Sequence, residues 1–131
     1  MNFLEAVIHH IQTAGIAAFG QNMFANEYPS KAPDSCLLVI DTGGLEPSLY
    51  LPVSNPTIQV LSRAPKYPEA EAKIRQVFNL FHGPTARHNY WLGDYYVFRS
   101  HAVQEPGFIG PDEKGRDEVS VNFVFKIRRP V

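Results

Sequence analysis

From Val119 to Ile127 every second residue is apolar. Val119, Val121, Phe123, Phe125 and Ile127 share one face, Ser120, Asn122, Lys126 and Arg128 share the other, and only Val124 breaks the alternation. Successive side chains of an extended chain point to opposite faces, so the pattern requires a strand with one face buried and the other toward solvent. Such a strand needs neighbours to pair with and a second layer to cover its apolar face.

Two segments have the period of helices that could supply that layer. Over residues 2–14, Phe3, Leu4, Val7, Ile8, Ile11 and Ala14 recur at the spacing of one helical face. Asn2 and Glu5 have the form of a capping box, with Asn in the Ser/Thr role, and Gly15 supplies a stop. His9 and His10 are adjacent, hence about 100° apart around a helix, which places both on a solvated face rather than at one metal. In the second segment Pro68 suits the first helical position and Glu69 and Glu71 the positive end of the dipole. Ala70, Ile74, Val77, Phe78 and Phe81 form its apolar stripe, and His82, Gly83 and Pro84 close it.

The remaining segments predict extended chain. Gln21–Asn26 reads as a short strand. Ser35–Thr42 contains the continuous apolar run Leu37–Ile40, which suggests cover on both faces. A loop holding Gly43, Gly44, Pro47, Pro52 and Pro56 separates it from a strand over Thr57–Arg63. Residues 84–93, with His88, Tyr90 and Trp91, read as a loop, followed by a strand from Tyr95 to about Val103, a charged loop over 104–118 and the final strand. The order is therefore helix, three strands, helix, two strands. Without βαβ alternation this implies an α+β fold: a mostly antiparallel sheet packed with two α-helices. The 131 residues suit one domain, 1–131, with no internal repeat or dividing linker.

Composition narrows the function classes. The hydrophobic content of 44% is that of a globular chain, and the net charge of −1 gives no global pull toward nucleic acid or anionic lipid. No apolar run is long enough to span a bilayer, so no membrane partner is expected. The one cysteine, Cys36, lies in an apolar run and reads as a buried inert thiol. With Glu5 and no basic segment the start of the chain does not read as a signal peptide, and an intracellular, reducing compartment is expected.

One pattern invites a catalytic reading. Apolar residues leading into Asp41-Thr42-Gly43 match the signature of retroviral-type aspartic proteases, in which two such aspartates share a proton across a dimer axis. Phe108-Ile109-Gly110 mimics the downstream motif of those enzymes. Three features oppose the match: residues 58–82 hold no glycine for a flap, the downstream motif feeds a charged loop and a strand, and an N-terminal amphipathic helix is foreign to that fold. Strand-end turn chemistry accounts for Asp41-Thr42-Gly43-Gly44 instead. The five histidines have no metal-ligand spacing, there is no Gly-x-Ser-x-Gly elbow, and Gly43-Gly44 lacks the lysine and helix of a phosphate loop. Tyr90, Trp91, Tyr95 and Tyr96 beside Arg87 and Arg99 could stack single-stranded nucleic acid, though packing is the commoner use of such a cluster. Charge is also segregated: residues 105–118 hold five acids and two bases, residues 119–131 three bases and no acid. An acidic loop beside a basic strand end suits pairing between copies of the chain, and equally a solvated loop with no partner.

Several segments, in this order and spacing, resemble a known family. They are the short N-terminal helix, Asn22-Met23-Phe24, Leu38–Gly44 with its proline-bearing loop, and Asn55–Val60. Arg63, the helix ending in Leu80-Phe81-His82-Gly83, Ile109–Arg116 and Asn122-Phe123 complete the set. The sequence is similar to phage minor capsid proteins akin to the tail-terminator, or tail-completion, proteins of long-tailed bacteriophages. Pro111 departs from the polar or basic residue expected at that point of the family's loop. The resemblance implies a structural virion protein with no catalytic residue, cofactor or metal. It implies a homo-oligomeric ring, commonly a hexamer, at the head-proximal end of the tail tube, assembled in the bacterial cytoplasm. Expected partners are other copies of the chain, the tail tube protein and the head–tail connector, with DNA free to pass through the ring and no sequence-specific reading of it. The residues expected at subunit or partner contacts are Phe108, Asp112, Glu113, Lys114, Arg116, Asp117, Glu118, Lys126 and Arg128, with the final strand offering an open edge to a neighbour. A neck component, a dimeric protease using Asp41 and a monomeric binding module are the alternatives.

Overall fold

The computed structural model describes residues 1–130. Its sheet is organised around the alternating C-terminal strand. Chain order is α1 (Phe3–Thr13), β1 (Met23–Ala25), β2 (Cys36–Leu45), β3 (Val53–Ala64), α2 (Tyr67–Phe81), β4 (Arg87–Leu92), β5 (Tyr95–Ala102), β6 (Gly107–Pro111) and β7 (Asp117–Arg128). The strands lie in the order β1-β2-β3-β7-β5-β4, with β6 also paired to β7. Only β1 and β2 run parallel; every other pair is antiparallel. This is the α+β architecture expected from the sequence.

Both helices cover one face. Val119, Val121, Phe123, Phe125 and Ile127 of β7 are buried with Leu37, Val39, Ile58 and Val60 against Val7, Ile11, Ile74, Val77 and Phe81 of the helices. The aromatic rings meet edge-on at the centre, Phe81 at 5.4 Å from both Phe123 and Phe125, and Phe3 at 5.1 Å from Phe125. Asn2 and Glu5 form the reciprocal capping box at the start of α1, at 2.8 and 3.0 Å. At the far end of α2 the last carbonyls are met from the sheet. Ser100 Oγ donates to Phe81 O at 2.7 Å and Arg87 Nη1 to Leu80 O at 3.1 Å. Ser100 has then spent its one proton, so Tyr90 OH donates to Ser100 Oγ at 2.5 Å. Burial pushes the Tyr90 phenol up to about 12 and keeps it a donor.

Four expectations need correction. Residues 87–92 form β4 rather than a loop, because Gly93 at positive φ opens a two-residue turn between Leu92 and Tyr95. Asn89, also at positive φ, interrupts the strand's alternation and hides it from a period-2 reading. The segment 104–118 is a hairpin rather than a free loop: β6 pairs with Asp117–Ser120 of β7. β5 and β6 lie along the same side of β7, joined through Val103, whose N–H reaches Asn122 O at 2.8 Å. Gln104–Pro106 bulge out between them, and Glu105 is held to Arg75 of α2 at 3.0 Å. Third, β7 has no open edge, since β3 pairs with one side and β5 and β6 with the other. Fourth, His10 is half-buried, not solvated, lying between the Phe81 and Tyr90 rings.

Candidate functional site

The charged residues expected at a contact surface divide into two sets. Asp112 and Arg116 close the β6–β7 turn. The Asp112 carboxylate accepts from Lys114 N and Arg116 N, both at 2.9 Å, and from Arg116 Nε at 2.8 Å. Desolvation opposes ionisation there, but those donors together hold the Asp112 carboxyl below its usual range. Arg116 also reaches Asp34 Oδ1 at 3.1 Å, and Tyr28 OH donates to Glu118 at 3.2 Å. Nearby, buried Arg63 donates to Pro33 O at 2.8 Å and Asp34 O at 3.3 Å and stacks at 4.2 Å on the Tyr28 ring. These groups fasten the segment 27–35 over the outer face of the sheet. Asp112, Arg116 and Glu118 are therefore occupied within the chain, and Asp117 is half-buried opposite Ala64 and Pro111.

Phe108, Glu113, Lys114, Lys126 and Arg128 are exposed. Phe108 packs edge-on against Tyr67 at 5.5 Å, and with Ile109 the pair forms an apolar patch where α2 begins. Lys126 and Arg128 lie far along β7 on the uncovered face. The Arg128 guanidinium is 6.0 Å from the Trp91 ring and 5.7 Å from the Tyr96 ring. The aromatic cluster read from the sequence is split by the pleat. Tyr90 is buried under Arg87 at 3.7 Å and Tyr95 packs on Phe3 at 5.4 Å, whereas Trp91 and Tyr96 face outward together at 5.2 Å.

Asp41 performs turn chemistry. Its carboxylate accepts from Gly43 N at 2.8 Å, and its own N–H is accepted by Asn26 Oδ1 at 3.0 Å. Beyond it the end of β2 and the turn 46–52 project as an arm, with Asp41 to Pro47 all exposed, while β3 enters from that turn already paired with the end of β7. Gly44 sits at φ +146 opposite Pro56, where a Cβ would lie 2.5 Å from Asn55 O.

The tip of this arm is a surface the sequence reading passed over. Leu45 is 64% exposed, Leu49 76%, Tyr50 90% and Leu51 62%, four large apolar side chains within seven residues. The overlooked signal is Leu-Tyr-Leu between Pro47 and Pro52: apolar bulk in a stiff segment with no strand or helix period by which to bury it. A third exposed apolar region lies at a groove of about 430 Å³ between α1 and β1, lined by Met1, Leu4, Ile8, Phe19 and Ala25. Among the described residues no group of three or more His, Cys, Asp or Glu side chains could hold a metal ion, and no helix is long and apolar enough to cross a membrane.

Comparison with known proteins gives the chain a fold likeness and a family. No curated protein sequence matches. Among solved structures, a chain described as "Virion of native gene transfer agent (GTA) particle" shares the fold with a TM-score of 0.73 at 8% identity, over 97% of this chain and 95% of that one. A family model described as "Bacteriophage tail terminator protein" matches residues 10–129. The chain belongs to the bacteriophage tail terminator family.

Proposed function

We propose that this chain is the subunit of a homo-oligomeric ring, commonly a hexamer, that ends the tail tube on its head-proximal side and joins it to the head. Membership of a family of phage tail structural proteins supports the structural part of this reading. The observation that carries the rest is the separation of exposed apolar side chains into three places: the arm tip, the α1–β1 groove, and Tyr67, Phe108 and Ile109 beside the β6–β7 turn. The tip and the Tyr67–Phe108 patch stand at opposite ends of β3 and β7, because β3 runs from the tip at Val53 to Ala64, just before Tyr67. A lone domain has no use for several such patches, whereas a ring subunit needs lateral contacts and two unlike axial faces.

In this reading the whole chain acts as one domain. The exposed residues Phe108, Glu113 and Lys114 meet an axial partner, either the tail tube protein or the head–tail connector, while Asp112 and Arg116 hold that turn in shape, Glu118 is tied to Tyr28 and Asp117 lies half-buried in the sheet beside it. Lys126 and Arg128 lie on the open sheet face and meet a second partner surface. No residue is assigned to catalysis, and assembly takes place in the host cytoplasm before incorporation into the virion. Deleting the gene from its parent phage and imaging the lysate by negative-stain electron microscopy tests this. Tails of irregular or excessive length, detached from filled heads, are expected. Normal-length tails beside separate heads would move the protein to the neck, and intact virions would overturn the structural role.

A further inference from the structure

We propose that the tip of the β2–β3 arm seats in the groove between α1 and β1 of a second copy of this chain. The inference rests on the ring reading and names the contact that builds the ring. Leu45, Leu49, Tyr50 and Leu51 together expose on the order of 500 Å² of apolar surface, the upper end of what a monomer normally carries in one patch. A stable interface takes about 800 Å² from each partner, so the tip supplies more than half of one side. Glu46 is the only carboxylate or cation between Leu45 and Pro52. The apolar side chains can thus enter a neighbour with one charge to keep at the rim.

The groove is the matching acceptor on this molecule. Leu4, Ile8 and Ala25 form its floor, and Met1 and Phe19 stand exposed at its edge. Of its polar groups, His9 and the Gln12 side-chain N–H₂ can donate to Glu46, while Gln12 Oε1 already accepts from Phe19 N at 2.8 Å and Glu5 is engaged in the capping box. A chain does not fill its own groove. The base of the arm, Asp41 and Gly43, borders Asn2, Phe3 and Leu4, and the strands carry the tip onward from there. Arg129 N–H holds Pro52 O at 2.8 Å, fixing the arm's outer end beside the end of β7. Knob and groove are different surfaces of one chain, so the contact is head-to-tail, and repeated contacts of that kind close into a ring when the rotation allows.

Two chains, each with Cys36→Ala and one new cysteine, test the contact. One carries Tyr50→Cys and the other Phe19→Cys, both at exposed positions that leave the core intact. Under mild oxidation we expect a disulfide-linked dimer from the mixture, none from either chain alone, and a ladder from a chain carrying both changes. Leu49→Asp in the unaltered chain is expected to weaken self-association about 10- to 100-fold, the loss of one buried leucine. Dimers from either single chain would mean a symmetric contact and overturn the proposal. An unaltered chain that sediments as an oligomer while the mixture stays uncross-linked would keep the ring and overturn the arm's part in it. An unaltered chain that stays monomeric with no cross-link would overturn both.

Discussion

Single residues show how closely local chemistry is tied to surroundings in this chain. Gly43 and Gly44 are neighbours with positive φ, yet a Cβ on Gly43 would meet open space while one on Gly44 would strike the backbone of Asn55 and Pro56. Gly43→Ala should therefore cost only the left-handed backbone preference, about 1 kcal/mol, and Gly44→Ala about 3 kcal/mol, because the backbone clash adds to the strain of its φ. Chemical denaturation of the two variants should return that order, and equal costs would contradict the arm's backbone. His10 is a second case. Burial first, then the Arg87 guanidinium, lowers its pKa from 6.5, and Nε2 lies 3.1 Å from Arg87 Nη1, where a neutral imidazole accepts. The unfolded chain then binds the proton more readily, so stability held above about pH 6.5 is lost as pH falls below it. His101 shifts in the same direction, lowered by burial and then by Arg99. In thermal melts between about pH 7 and 5, His10→Gln should flatten the decline in stability, because glutamine keeps an acceptor for Arg87 and cannot take a charge. The same slope in both proteins would remove His10 from the account.

At the scale of elements, those read correctly carried their own grammar. α1 had its capping box, α2 its proline and glycine punctuation, and β7 its alternation, each set by residues close in sequence. β4 and β6 were hidden because their strand character comes from the partner. β6 is five residues of Gly-Phe-Ile-Gly-Pro that become a strand only where β7 supplies the ladder. The charged turn after it shows the same limit. Its composition suggested a free acidic surface, but folding brings Asp34 and Tyr28 close enough to engage Arg116 and Glu118. The latch over segment 27–35 hangs on Arg63. Arg63→Ala removes two hydrogen bonds from a buried guanidinium and its stack on Tyr28, and should cost about 2–3 kcal/mol. Hydrogen exchange should then speed up across residues 27–35 and leave α2 protected; unchanged exchange in that segment would show that the latch does not depend on Arg63.

The whole molecule is closed by its last strand. β7 lies between β3 from the first half of the chain and β5 from the second, and its apolar face is the centre of the core. Truncation after Pro111 should therefore leave a chain without cooperative unfolding in a thermal scan, whereas removing only Arg129 to Val131 should preserve the transition, since β7 ends at Arg128. A retained transition in the first truncation would mean that the β1–β3 and α2–β5 halves hold together unaided. The large separation in sequence between paired strands also delays the core until the end of the chain is present. The α+β class, both helices, the buried face of the sheet and the family were legible in the sequence, because each depends on periodicity, punctuation or the order of local segments. Tertiary structure alone decided which charges are spent inside the chain, that β7 has no free edge, and that the Leu49-Tyr50-Leu51 tip stands clear of the core. Those properties belong to residues far apart in sequence, and only the folded backbone sets which of them meet and which remain exposed.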